Sequence, residues 1–364
     1  MQFVDLTAQY RAYQKEIDAA VAAVLTTSQF IGGPAINELE MKLAAMVGVD
    51  HGIACASGTD ALLLSLMALG IGPGDEVVTT PFTFIATAET IALVGATPVF
   101  IDIEPDTYMI NPDLLEDVVS PRTKAIIAVD IFGFSADYGR LQAFADCHGV
   151  ALIEDAAQSL GGRWQDKQCG SFGTLAATSF FPAKPLGCYG DGGMIFTRDA
   201  ECAERLSMLR NHGQNQRYHH QLLGVNSRLD TLQAAVLLAK LPFFETEIDR
   251  RRTIAARYSS AFAASFQVPV EKIGSRSVYA QYSLRSKFRD RILETLRKAG
   301  IPTAIHYPIP LHRQEVFAHL GYQEGCLPIA EQVCKEIFSL PVHPFLSDAE
   351  VEMIIDCSIG ALKS

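Results

Sequence analysis

The sequence predicts an α/β protein, with a mostly parallel sheet flanked by helices in a large first domain and a smaller α/β domain at the C-terminus. Three observations carry that expectation. Between residues 52 and 153, short apolar runs alternate with segments of helical periodicity, the pattern of a sheet covered on both faces. Several runs end in turns rich in polar residues and glycine, at the positions where open α/β sheets gather ligands. Composition changes around residues 262–276, dividing the chain into 1–262 and 263–364. With 364 residues and 49% hydrophobic content, there is material for a large core.

Residues 14–25 (Ile17, Val21, Val24, Leu25) and 37–47 (Leu39, Leu43, Met46) carry apolar side chains at helix spacing, with Ser28-Gln-Phe-Ile-Gly-Gly-Pro as a loop between them. A strand at 52–56 runs into Ser57-Gly-Thr-Asp, which opens a helix over 61–69. Backbone N–H groups and hydroxyls at such a helix start form an anion site, and ordinary capping by Ser57 or Thr59 is the plainer alternative. The strand at 76–80 leads to Pro81-Phe-Thr-Phe, where Phe84 is either a core aromatic or a ring that stacks on a ligand. Helix 86–94, strand 98–101, helix 112–119, strand 125–129, helix 138–147 and strand 150–153 follow. The last strand delivers Glu154 and Asp155 to its C-terminal end. There Asp155 suits a helix cap, a salt bridge or a ligand contact.

The most unusual stretch is Thr178-Ser-Phe-Phe-Pro-Ala-Lys184-Pro-Leu-Gly-Cys-Tyr-Gly-Asp191-Gly-Gly193, a lone lysine between an apolar strand and a glycine-rich turn. Burial disfavours an ammonium and lowers its pKa, and the neutral amine is the form that attacks carbonyls. An exposed turn lysine is the bland alternative. Beyond it come a strand at 194–197, a helix at 202–209 and a polar loop, 210–220, read as a lid with no metal-ligand spacing apart from one adjacent His pair. Asn226, a candidate N-cap, precedes a long helix, 232–261, that can break near Pro242. The small domain is expected to hold a strand at 278–284, a helix at 290–298, the segment His306-Tyr-Pro-Ile-Pro-Leu-His312 and a last helix over 348–362.

Acidic residues outnumber basic ones by 41 to 30, giving a formal charge of -11, which argues against nucleic acid or an anionic membrane as partner. No run approaches a membrane span, and the first residues lack the pattern of a signal peptide, so a cytoplasmic location is expected. The eight cysteines, at 55, 147, 169, 188, 202, 326, 334 and 357, form no Cys-x-x-Cys and are read as free thiols, with no metal site.

Seven motifs occur together in order: Ser57-Gly-Thr-Asp-Ala-Leu, Pro81-Phe-Thr-Phe-Ile-Ala-Thr, Glu154-Asp-Ala-Ala-Gln, Ser179-Phe-Phe-Pro-Ala-Lys, Gly190-Asp-Gly-Gly, Asn226-Ser-Arg-Leu-Asp and His306-Tyr-Pro-Ile-Pro-Leu-His. In this combination the chain resembles the sugar aminotransferases of the DegT/DnrJ/EryC1/StrS family, within the aspartate aminotransferase superfamily. The resemblance implies fold type I and pyridoxal 5′-phosphate (PLP, cycling with its amino form PMP), bound covalently by Lys184. It implies Asp155 on the pyridine nitrogen, Gln158 on the phenolic oxygen and Phe84 on the ring. Gly58, Thr59 and Ser179 would take the phosphate, with Asn226 supplied by the other subunit of a homodimer that shares its active sites. Arg228, His306, Tyr307 and His312 would lie near the substrate. Within the family, residues 179–193 and 306–312 are most similar to enzymes that aminate UDP-2-acetamido-2-deoxy-3-oxo-glucuronate for O-antigen sugars, with glutamate as donor by family habit. Relatives acting on keto-6-deoxy nucleotide sugars share the cofactor motifs. Sugar dehydratases of this fold replace the lysine by histidine, and a non-catalytic regulator would not require Lys184, Asp155 and Gln158 together.

Overall fold

The computed structural model describes residues 1–363. Its centre is a seven-stranded sheet of β1 (His51–Cys55), β2 (Glu76–Thr79), β3 (Thr97–Phe100), β4 (Thr123–Val129), β5 (Ala151–Asp155), β6 (Leu175–Ser179) and β7 (Gly193–Thr197), in the order β1-β7-β6-β5-β4-β2-β3. Pairings from β3 through β2, β4 and β5 to β6 are all parallel, while β7 runs antiparallel to both of its neighbours. Strands β2 and β7 are buried along their whole length, as expected of a sheet covered on both faces, with Glu76 at the start of β2 held by Ser120 and Arg122.

Helices α1 (Leu6–Ala12), α2 (Gln14–Thr27) and α3 (Pro34–Val47) precede the sheet. Helices α4 (Gly58–Ala68), α5 (Ala86–Leu93), α6 (Tyr138–His148) and α7 (Ala200–Leu209) connect or follow its strands. One apolar cluster, including Leu62, Leu64, Val77, Ile127, Ile153 and Ile195, lies between α4 and the sheet. On the opposite face, α8 (Thr231–Lys240) packs with α3 and residues such as Phe180 and Met194. Helix α9 (Phe244–Phe262) ends where the sequence suggested a boundary. The C-terminal part holds α10 (Arg289–Lys298), α11 (Pro328–Glu336), α12 (Asp348–Lys363) and an antiparallel pair, β8 (Tyr282–Arg285) with β9 (Ile337–Leu340). A continuous core runs across that boundary, from Phe82, Ile126 and Tyr258 to Tyr282, Phe338 and Ile354.

The structure corrects four local expectations. Residues 112–119 form only a 3-10 turn, Pro112–Leu114, because Asn111 takes the Asp113 N–H and only Pro112 and Leu115 are buried, too little to stabilise a longer helix. Residues 278–281 do not extend β8; Val278 N–H instead donates to Gly133 O, pinning the chain to the turn after β4. Residues Gln214–Gln216 and His219–His220 pair as a hairpin within the expected lid. The long helix breaks at Leu241–Phe243, as Pro242 allowed, but it starts at Thr231 with Asp230, not Asn226, in the N-cap position. Asn226 is exposed and bridges to Asn211. All eight cysteines are free, and among the described residues no helix is long and apolar enough to cross a membrane.

Candidate active site

A cavity of about 500 Å³ opens at the C-terminal ends of the parallel strands. Its wall includes Gly58, Thr59, Phe84, Asp155, Gln158, Ser179, Lys184, His306 and Tyr307. Parallel connectivity brings Gly58, Thr59, Phe84, Asp155, Gln158, Ser179 and Lys184 together because each turn that follows a strand opens on the same rim, while His306 and Tyr307 come from the C-terminal part.

One end is the start of α4. Ser57 is the N-cap, accepting the Asp60 N–H at 3.0 Å, so both capping and an anion site are built into the same turn. The N–H groups of Gly58 and Thr59 belong to the first turn, which no intrahelical carbonyl can satisfy. A Cβ at position 58 would stand 2.6 Å from the Ser179 Cβ, so glycine permits the helix start to meet the end of β6.

Asp155, the last residue of β5, is 5% exposed. Its Oδ2 accepts from the Thr87 hydroxyl at 2.9 Å and its Oδ1 from the Ala157 N–H at 3.2 Å. Burial pushes its carboxyl pKa up, with the Thr87 and Ala157 hydrogen bonds and the charge of Lys184 acting in the other direction. A cation set against it inside the cavity would favour the ionised form. Lys184, half-buried on the turn after β6, is pushed down to about 8 by desolvation against the opposing pull of Asp155. A useful fraction of its amine is therefore neutral near neutrality.

Gln158 is 5% exposed, and its Oε1 accepts the Phe132 N–H at 2.8 Å. That bond fixes the amide, leaving Nε2 to donate toward Tyr307 OH at 3.4 Å. Phe132 holds φ of 60°, a left-handed conformation uncommon for a bulky residue and in keeping with strain stored beside a site. Phe84 is 54% exposed in a wall where its ring leans on Tyr307 at 6.3 Å. His306 hydrogen-bonds Ser339 Oγ through Nδ1 at 3.1 Å; burial, and secondarily the charge of Lys184, push its pKa down and favour the neutral imidazole.

Three sequence candidates do not line this cavity. Arg228 Nη1 donates to Asn211 Oδ1 at 2.6 Å, and its Nε is buried without a partner. Asn226 faces solvent. His312 is a correction: only 2% exposed, it turns away from the cavity to Glu331, Nε2 to Oε1 at 3.1 Å, because packing in Leu311–Arg313 directs its ring inward. The sequence reasoning missed Thr87, Phe181, Asp191 and Gln281, all in the cavity wall. Thr87 ends the motif Pro81-Phe-Thr-Phe-Ile-Ala-Thr and could have been found; Gln281 carried no signal.

Similarity to known proteins agrees with this chemistry. The model of the DegT/DnrJ/EryC1/StrS aminotransferase family matches residues 11–358. A UDP-2-acetamido-2-deoxy-3-oxo-D-glucuronate aminotransferase of Pseudomonas aeruginosa is 48% identical over 355 residues, covering 97% of this chain and 98% of its own. The crystal structure of a DegT DnrJ EryC1 StrS aminotransferase from Brucella abortus matches with a TM-score of 0.96 at 47% identity, covering 99% of each chain. That of ntda from Bacillus subtilis with bound cofactor PMP has a TM-score of 0.92 at 27% identity, covering all of this chain and 83% of that one. The residues present fit pyridoxal phosphate: a helix start with free N–H groups for a phosphate, a buried acid for a ring nitrogen, an exposed aromatic face and an amine of lowered pKa. The chain belongs to the DegT/DnrJ/EryC1/StrS aminotransferase family and is a pyridoxal phosphate-dependent aminotransferase with the fold of that family.

Proposed function

We propose that this protein transfers an amino group from glutamate to C3 of UDP-2-acetamido-2-deoxy-3-oxo-glucuronate, in the cytoplasm, as a homodimer with shared active sites. The observation that carries the chemistry is the pairing of Lys184 and Asp155 across one cavity at the strand ends. When bound, pyridoxal phosphate supplies the electron sink that makes a proton on the amino-bearing carbon removable.

In this reading the Lys184 amine binds the cofactor, is released when the donor arrives, and then takes and returns the proton at the reacting carbon. Asp155, aligned by Thr87, keeps the ring nitrogen charged. Gln158 presents its Nε2 to the phenolic oxygen, with its orientation set by Phe132. Gly58, Thr59 and Ser179 hold the phosphate, completed by Asn226 of a second copy, which suits the exposed position of that side chain. His306 and Tyr307 face the sugar, and Arg228, outside the cavity wall of its own chain, is read as a substrate contact from the resemblance alone. Arg228 has a buried Nε still without a partner, and a planar guanidinium can grip a carboxylate through two parallel bonds.

The sugar assignment follows the 48% identical relative and the similarity of residues 179–193 and 306–312 to such enzymes. The test is a side-by-side assay with glutamate as donor, comparing the 3-oxo-uronate with 3-keto-6-deoxy and 4-keto-6-deoxy nucleotide sugars. Preference for the uronate by at least tenfold in kcat/KM is expected. Preference for a 4-keto or non-acidic sugar would overturn the substrate and leave the aminotransferase standing.

A further inference from the structure

The turn that carries Lys184 is closed on itself. Lys184 N–H donates to Phe181 O at 2.8 Å, Cys188 N–H to Phe180 O at 2.8 Å, and a Cβ at Gly187 would stand 2.4 Å from Pro182 O. Two further bonds tie this turn to a separate element. Tyr189 N–H donates to Gln233 Oε1 at 2.9 Å, and Lys240 Nζ donates to Gly187 O. Gln233 and Lys240 are seven residues apart on α8, two helical turns, so they project from one face of that helix.

Lys240 is 3% exposed, and among the described residues no carboxylate lies within ion-pair distance of it. Glu247, the acid whose charge acts on it, is engaged by Gln9 Nε2 at 3.0 Å through both oxygens. Its other neighbours are the Tyr189 ring, with Nζ 5.4 Å from the centroid, and Cys188 and Arg251, whose charges also bear on it. Desolvation pushes its pKa down to about 8. A buried ammonium without a carboxylate destabilises a fold relative to an apolar side chain of equal volume. What this one secures is a single backbone carbonyl, three residues beyond Lys184.

We propose that Lys240, with Gln233, is a positioning residue for Lys184: one face of α8 holds the 184–190 turn so that the catalytic amine stays in the cavity. The proposal rests on the role of Lys184 given above. Lys240 touches neither substrate nor cofactor, so its effect is on the geometry and hydration of the Lys184 amine.

The test compares wild type, Lys240→Met, which removes the donor, and Lys240→Gln, which keeps one. In cofactor-free protein, the pH midpoint for acetylation of Lys184 is measured by peptide mass spectrometry; in holoenzyme, kcat and the glutamate KM are measured. Lys240→Met is expected to move the midpoint upward from about 8 toward the ordinary lysine value and to lower kcat by about tenfold or more with KM changed less than twofold. Lys240→Gln should restore most of both. If Lys240→Met does not fold, as judged by circular dichroism, Gln233→Leu is expected to move both readouts in the same direction by a smaller amount. A folded variant with the wild-type midpoint and kcat overturns the proposal. Borohydride labelling of wild-type holoenzyme separates the two ideas: label away from Lys184 defeats the catalytic role itself, while label on Lys184 with an unmoved midpoint defeats only the positioning role.

Discussion

The strand-end rim of the sheet and the segment from His306 to His312 supply the same cavity by different means. On the rim, Thr59, Phe84, the pair Asp155 and Gln158, and the pair Ser179 and Lys184 come from the ends of four different strands, and every one reaches the cavity wall. In the segment, seven consecutive residues behave differently from one another. His306 and Tyr307 line the cavity, whereas His312 is buried against Glu331. Topology fixes where a strand ends, so residues just beyond parallel strands converge whatever their spacing. Nothing comparable fixes which way successive side chains of an irregular segment point. Local packing decides that.

The strongest way to break this comparison is at the rim. Lys184→Ala should lower turnover by about 10⁴-fold, the size expected when a nucleophile and general acid/base are removed together, and borohydride reduction of wild-type holoenzyme should fix the cofactor on Lys184. Label on Lys240 or Lys272 instead would remove Lys184 from the site. Asp155→Asn should cost about 10² to 10³-fold in kcat, since it removes a preorganised charge, and a variant within fivefold of wild type would show that the acid is structural.

The next test crosses from one copy to another. Inactive Lys184→Ala subunits mixed with inactive Asn226→Ala subunits should regain roughly a quarter of wild-type activity, because half of the dimers would be mixed and each would hold one intact site. No recovery after verified exchange would argue that Asn226 serves its own subunit or none.

Within the small-domain segment, His306→Ala should raise the sugar KM about tenfold, while His312→Ala should leave kcat/KM within twofold. Its effect should appear in urea or thermal unfolding, as a loss of about 1 to 3 kcal/mol from a buried hydrogen bond to Glu331. A KM effect at His312 as large as that at His306 would erase the distinction drawn above.

The smallest expected effect is on stability against pH. Lys184 has a folded pKa of about 8, below its unfolded value, so between those values the unfolded chain binds more protons and stability rises with pH. Cofactor-free wild type should therefore gain stability between about pH 7.5 and 9.5 from this group, reduced by solvent screening at a half-buried side chain, and Lys184→Met should lose that part of the slope in paired thermal melts. Lys240, also near 8, contributes a slope of the same sign that the variant keeps.

Much of the molecule was legible in the chain. The alternation of apolar runs and helical segments gave the sheet and its flanking helices, since burial on both faces demands it. Asp155 and Lys184 could be singled out because an acid at a strand end and a lysine among apolar residues each conflict with their surroundings unless they serve chemistry. Asn226 and Asp230 suit an N-cap equally in the sequence, since Asn and Asp are both good N-cap residues, and only the fold selects Asp230.

By itself, then, the sequence determined the order of elements, the rim on which ligands gather and the residue types able to do the chemistry, because periodicity and desolvation act through neighbours in the chain. The tertiary structure alone decided that His312 faces Glu331, that Gln281 enters the cavity wall, that Phe132 aims Gln158 and that α8 grips the turn carrying Lys184. Each of these joins groups remote in sequence through a hydrogen bond or a packing choice. Such a partner is fixed only by where the whole chain has already folded.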